Sequence, residues 1–218
     1  MSEGRKPEAA ELKILTRAKS AACEMTRAVE RALRDVSRLL LPGSDPRLFP
    51  EAVSRTARLF EAHFKSRSPG EARELADGYE AVRKALEALT AASYRVVSDD
   101  VVEREEGGDT YAYVRGREPI IYLAQHKVFG ELSTRVTAER RSSRSTVAVG
   151  DLILNDDQRA RLLIHEVAHF RLGVKHRGGV FTFANERCES GHPVRGYSEA
   201  ASNAYCYDHF AHCASRSP

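Results

Sequence analysis

The chain is 218 residues long, 42% hydrophobic and 30% charged, with 34 basic against 31 acidic side chains for a formal net charge of +3. That length fits one substantial domain, and the near balance of charge excludes the strongly basic surface by which proteins grip nucleic acid. No run of about 18 apolar residues occurs, which excludes a membrane-crossing helix.

From Ala9 to Leu41, apolar residues recur in steps of three and four (Leu15, Ala18, Ala22, Met25, Val29, Ala32, Val36, Leu39). They form one buried stripe on a long helix, and Pro42-Gly43 stops it. A second helix begins near Pro50, with Val53, Ala57, Phe60 and Phe64 facing inward. Ser68-Pro69 opens a third as N-cap and first-turn proline, burying Leu75, Tyr79, Val82, Leu86 and Leu89. The texture then changes. Tyr94 to Val102, Thr110 to Arg115 and Pro119 to Ala124 are short, β-branched and aromatic, and Gly107-Gly108 and Gly116 separate them, which predicts a small sheet. Arg135 to Arg144 is Arg/Ser-rich and reads as an exposed loop, and Thr146 to Leu154 as a return to the sheet. Asn155-Asp156-Asp157 starts a helix that Gly173 ends. A last helix covers Tyr197 to Cys213. The expected architecture is α+β in one domain over 1–218, helical over 1–93, with the sheet and two further helices over 94–218.

The chemistry is concentrated in His165-Glu166-Val167-Ala168-His169. Two histidines four apart on a helix project from one face a single turn apart, a separation that suits two corners of a zinc tetrahedron. Glu166, beside the first ligand, is placed to act as general base toward a water on the metal, and so to drive hydrolysis of an amide. The bland alternative is a core helix with two structural histidines. Burying two imidazoles and a carboxylate without a metal is costly, and eight histidines in 218 positions make the pattern rare by chance. A catalytic zinc needs a third protein ligand. The HExxHxxGxxH spacing fails by one residue, since Gly173 falls four and His176 seven after His169. A helix ending at Gly173 still lets the chain reverse and return His176, which ranks first. Glu199 and His192 follow, with Glu189 and Asp208 also available.

The wider sequence resembles the aspzincin peptidases, the family of deuterolysin and peptidyl-Lys metalloendopeptidase. The resemblance runs through the helical first half, the segments Tyr111 to Val114 (YAYV) and Ile120 to Leu123 (IIYL), the metal helix Arg161 to Phe170 (RLLIHEVAHF) and the closing helix Asn203 to Ala211 (NAYCYDHFA). It implies a zincin-like fold, one catalytic Zn2+ and endopeptidase activity on a protein or peptide substrate. The family's third ligand is the aspartate of a GTxDxxYG motif. Leu172-Gly-Val-Lys-His176 falls at that place, so the resemblance puts His176 on the aspartate's position. The tyrosine three residues on is missing, because Gly179 stands there, and Tyr197 is the substitute expected to support the oxyanion. A neutral ligand in place of a carboxylate raises the net charge of the site by one.

Cys206 and Cys213 lie two helical turns apart, too far to bond each other. Cys188 is left to pair with either, or all the thiols stay free. Cys188, His192, Cys206, His209, His212 and Cys213 match no standard ligand spacing for a second metal, and packing is the expected role of this segment, as it is for His63 and His126 in packing or surface positions. Met1 to Lys13 lacks the apolar centre of a secretory signal. The expectation is therefore cytoplasmic synthesis, with delivery as an effector through a signal-independent route, or earlier loss of a leader, as the other routes. The rival functions are an inactive zincin-fold binding protein and a zinc hydrolase of a non-peptide amide.

Overall fold

The computed structural model describes residues 4–106, 110–130, 154–176, 188 and 194–216. Its architecture is α+β, mostly helical with one three-stranded sheet. Three helices come first: α1 (Ala9–Leu39), α2 (Glu51–Phe64) and α3 (Pro69–Ala88). Ser68 caps α3 by accepting from the Glu71 amide, as the Ser-Pro pair predicts. Arg34 and Arg83 lace α1 to α3 through Glu30, Asp77, Glu80 and Glu87.

Strand β1 (Tyr94–Val97) is followed by a helix, α4 (Asp99–Glu106), where the sequence suggests continued strand. Two acids in its first turn, Asp99 and Asp100, favour the helix N-terminus electrostatically, and that outweighs the β-branched pair Val101-Val102. Strands β2 (Ala112–Val114) and β3 (Ile121–Ala124) follow, then a short helix α5 (Gln125–Phe129). The sheet order is β1-β3-β2, with β1 parallel and β2 antiparallel to β3. The loop expected at Arg135 to Arg144, the strand from Thr146 and the turn at Gly107-Gly108 lie outside the described residues.

Helix α6 (Asp156–Leu172) is started by a reciprocal cap, in which Asn155 Oδ1 accepts from the Gln158 amide and Gln158 Oε1 from the Asn155 amide, both at 2.9 Å. It packs on α1, α3, β2 and the final helix, so nearly every side chain from Arg159 to Phe170 is buried. A helix enclosed on all sides needs no polar face, and its polar residues are therefore conspicuous. The single last helix expected from Tyr197 is two: α7 (Tyr197–Ala201) and α8 (Ala204–Ser215). Asn203, fully buried, breaks them and caps α8 by accepting from the Tyr205 amide. One apolar core runs from Leu15 on α1 to Ala214 on α8, so the helical first half and the sheet share their interior.

Candidate metal centre

His165 and His169 lie one turn apart on α6, and His176 returns to them after the helix ends. Two features of the backbone produce that return. Gly173 ends α6 in the left-handed conformation, with φ 71°, while its amide bonds back to His169 O. A Cβ there would meet the Arg117 guanidinium at 3.1 Å, so glycine suits both the backbone and the space. Lys175 then bridges to the α7–α8 junction, its amide donating to Ser202 O and its carbonyl accepting from the Ala204 amide. That stitch delivers His176 with its ring stacked on Tyr205, centroids 4.8 Å apart and planes 18° from parallel.

The three Nε2 atoms form a triangle with sides of 2.9, 2.9 and 3.1 Å. What faces inward follows from what lies behind each ring. His165 Nδ1–H donates to Asp208 Oδ2 at 2.9 Å, and His169 Nδ1–H donates to Val174 O at 2.7 Å. Neither oxygen has a proton to give at neutral pH, so both imidazoles in their neutral form turn Nε2 lone pairs toward each other. His176 carries one ring proton at most in its neutral form and cannot bridge all three sides. Three convergent nitrogen donors of this kind want a cation. Around tetrahedral zinc the same nitrogens would stand about 3.4 Å apart, an expansion of a few tenths of an ångström. The donor set therefore fits a divalent metal.

Asp208 sits behind the centre rather than in it. It is fully buried, and its other carboxylate oxygen accepts from Arg161 Nε and Nη2 at 3.3 and 3.1 Å. Arg161, also buried, neutralises this carboxylate, which in turn fixes the His165 tautomer and raises the basicity of its Nε2. Burial, reinforced by the neighbouring histidine, lowers the pKa of His169 and of His176 to about 4, which keeps both rings neutral and ready to ligate.

The other residues named from sequence fall elsewhere. The Tyr197 hydroxyl, expected to support an oxyanion, donates to Glu71 O at 3.1 Å, and its ring packs near Phe64. Glu199 accepts from the Arg195 amide at 2.8 Å, just ahead of α7. His192 and Glu189 lie outside the described residues. The aromatic partner of the histidines is Tyr205, which sequence reasoning passed over. Tyr205 and Asp208 are three apart on α8, and Arg161 and His165 four apart on α6. Those spacings put each pair on one face, and a buried-helix arginine is itself a sign of a buried acid.

Glu166 is buried, 4% exposed, and with His169 and His176 lines a cleft of about 450 Å³. Residues Ala112 to Val114 of β2 form another wall, and Arg117 and Lys175 bring two cations to it. The site thus combines a convergent nitrogen triad, a carboxylate beside it and a cleft wall formed by a strand.

Asp208→Asn removes the charge behind His165 while keeping the shape. Zinc affinity, read by competition with a chromophoric chelator, is expected to fall 10- to 100-fold. In metal-free protein the depressed histidine pKa values also set an acid edge. Values of about 4 in the fold against 6.5 for a free imidazole mean that the unfolded chain takes up protons first as the pH drops. Stability from this source is complete above about pH 6.5 and is lost as the pH falls toward 4. Melting temperatures in chelator between pH 7.5 and 4 are expected to trace that loss, and His169→Phe is expected to flatten it.

Compared with known proteins, the chain matches no family model, and no curated protein or solved structure is similar to it at a significant level.

Proposed function

We propose that the chain is a zinc-dependent endopeptidase of the aspzincin-like kind, with His165, His169 and His176 as metal ligands and Glu166 as general base. The observation that carries this reading is the triangle of Nε2 atoms no more than 3.1 Å apart, with Glu166 lining the same cleft. A zinc ion held there would supply Lewis acidity, polarising a carbonyl and acidifying a water.

The protein's own groups do the rest. Glu166 takes a proton from the attacking water and passes it to the departing amine. Asp208, through His165, and the Val174 carbonyl, through His169, keep two imidazoles in the tautomer that faces inward. Tyr205 holds the plane of the third. Strand β2 pairs with β3 on one side, and its residues on the cleft wall give an extended peptide a backbone to run beside.

Arg117 and Lys175 also bear on specificity. They are the charged side chains lining the cleft besides Glu166, among the described residues. A substrate lysine there meets like charge, whereas an acidic side chain is attracted. The chain therefore departs from the lysine preference associated with the peptidyl-Lys members of the family it resembles.

Glu166→Gln is expected to retain stoichiometric zinc and to lose at least 100-fold in cleavage of casein. Zinc retained with cleavage unimpaired sinks the role of Glu166, and wild-type protein that is zinc-loaded but inert on every protein tested sinks the peptidase reading. On a mixed peptide library, acidic residues are expected to be enriched near the scissile bond. Arg117→Glu with Lys175→Glu is expected to shift kcat/KM from acidic toward basic peptides by about tenfold, roughly 1.4 kcal/mol.

A further inference from the structure

A second group of metal-binding residue types lies farther along α8. His209 and Cys213 are four apart on that helix, a spacing that puts both side chains on one face. Cys188, from the segment between α6 and α7, joins them, and the ligand atoms of Cys188, His209 and Cys213 all lie within 4.8 Å of one another. His63, at the last turn of α2, comes in from a third element. Its ring centroid is 4.7 Å from that of His209, and its Nε2 is 3.2 Å from Cys188 O. His63 is fully buried, and His209 and Cys213 are 5% and 2% exposed. In the structure Cys188 and Cys213 are joined as a disulfide, with Cα atoms 5.3 Å apart.

Packing alone explains this group poorly. Phe60, Phe64 and Phe210 already supply aromatic surface in the same part of the core, with His63 against the edge of Phe210. A position that needed only area is served equally well by another phenyl. What imidazole adds is a donor atom, and here it is added beside two sulfurs. Two sulfurs and two imidazoles are the donors of a closed tetrahedral zinc site, and soft thiolates select zinc over the hard cations.

We propose that the reduced chain binds a second, structural zinc ion through Cys188, Cys213 and His209, with His63 as the fourth donor, so that the disulfide and the metal are alternative clamps on one position. The two states interconvert with a balanced chemistry. A phosphine reductant and one water convert the disulfide to two thiols and are themselves converted to the phosphine oxide. The two thiols then release two protons as Zn2+ binds. Around tetrahedral zinc the sulfurs stand about 3.8 Å apart, so they part by side-chain rotation about their Cα positions. Either clamp ties Cys188 to the C-terminal end of α8, and the metal adds α2 through His63.

The test uses the full chain, stripped with chelator and loaded with Co2+ or Zn2+ after air oxidation or after anaerobic phosphine reduction. The oxidised chain is expected to take up one ion and the reduced chain two. Only the second Co2+ gives a thiolate-to-metal charge-transfer band, because the three-histidine centre contains no sulfur. Reduced Cys213→Ser and His209→Ala are expected to lose the second ion and its band, and His63→Ala to weaken it at least tenfold. His165→Ala is expected to lose the first ion and keep the band. A reduced chain that takes up no second ion and shows no thiolate band overturns the proposal, as does a band that survives His209→Ala at undiminished affinity. Should a variant fail to fold, the wild-type comparison of oxidised with reduced protein decides alone. Loss of the three-histidine ion by itself would strike the peptidase reading and leave this one standing.

Discussion

Two imidazoles whose outer nitrogens are both engaged as donors, one by a carboxylate and one by a backbone carbonyl, present inward lone pairs 3.1 Å apart. Without a cation that contact is repulsive, and a third imidazole at 2.9 Å from each adds to it. Much of the surrounding structure can be understood as the means of holding this arrangement. Arg161 and Asp208 are buried together behind His165, where an unpaired charge would be costly and a pair with satisfied hydrogen bonds is sustainable. Helix α6 is surrounded by α1, α3, α8 and the sheet, so its histidines have little freedom to turn away. The rigidity that a metal site needs thus comes from the enclosure of one helix.

The placement of His176 depends on the backbone more than on side chains. Gly173 lets the chain leave α6 in the left-handed conformation, and the Lys175 bridge to residues 202–204 sets where it goes next. The same junction breaks the final helical segment at Asn203 and orients α8 so that Tyr205 and Asp208 reach the histidines from one side. Position 176 therefore takes its place from two elements distant in sequence. The break between α7 and α8 is part of the site, because an unbroken helix would carry no free backbone groups for Lys175 to bridge.

Much of this was legible in the sequence, for identifiable reasons. The first three helices follow from their apolar spacing and caps, and the pairing of His165 with His169 follows from helical geometry alone. His176 could be ranked first because a glycine three residues before it ends the helix. What was hidden is tertiary. Asp208 read as a possible ligand, and only packing of α8 on α6 turns it into the partner of Arg161 and His165. Tyr197 was the expected oxyanion donor, yet its neighbours on α2 and α3 claim it, and Tyr205 occupies the place beside the histidines. Cys188 could pair with either of two cysteines by spacing, and the helix face it meets selects Cys213. Cys206, left as a buried thiol, has its pKa pushed up to about 12 by desolvation, which makes it inert. Helix α4 replaced an expected strand because first-turn acids outweighed two valines.

The central claim is that three imidazoles of this chain, and no sulfur, hold a catalytic zinc ion. X-ray absorption at the zinc edge of the air-oxidised protein tests it most directly. The account predicts one zinc per chain, nitrogen and oxygen neighbours at about 2.0–2.1 Å, and outer-shell scattering from three imidazole rings. Protein that retains no zinc after purification, or a spectrum dominated by sulfur at about 2.3 Å, would contradict it.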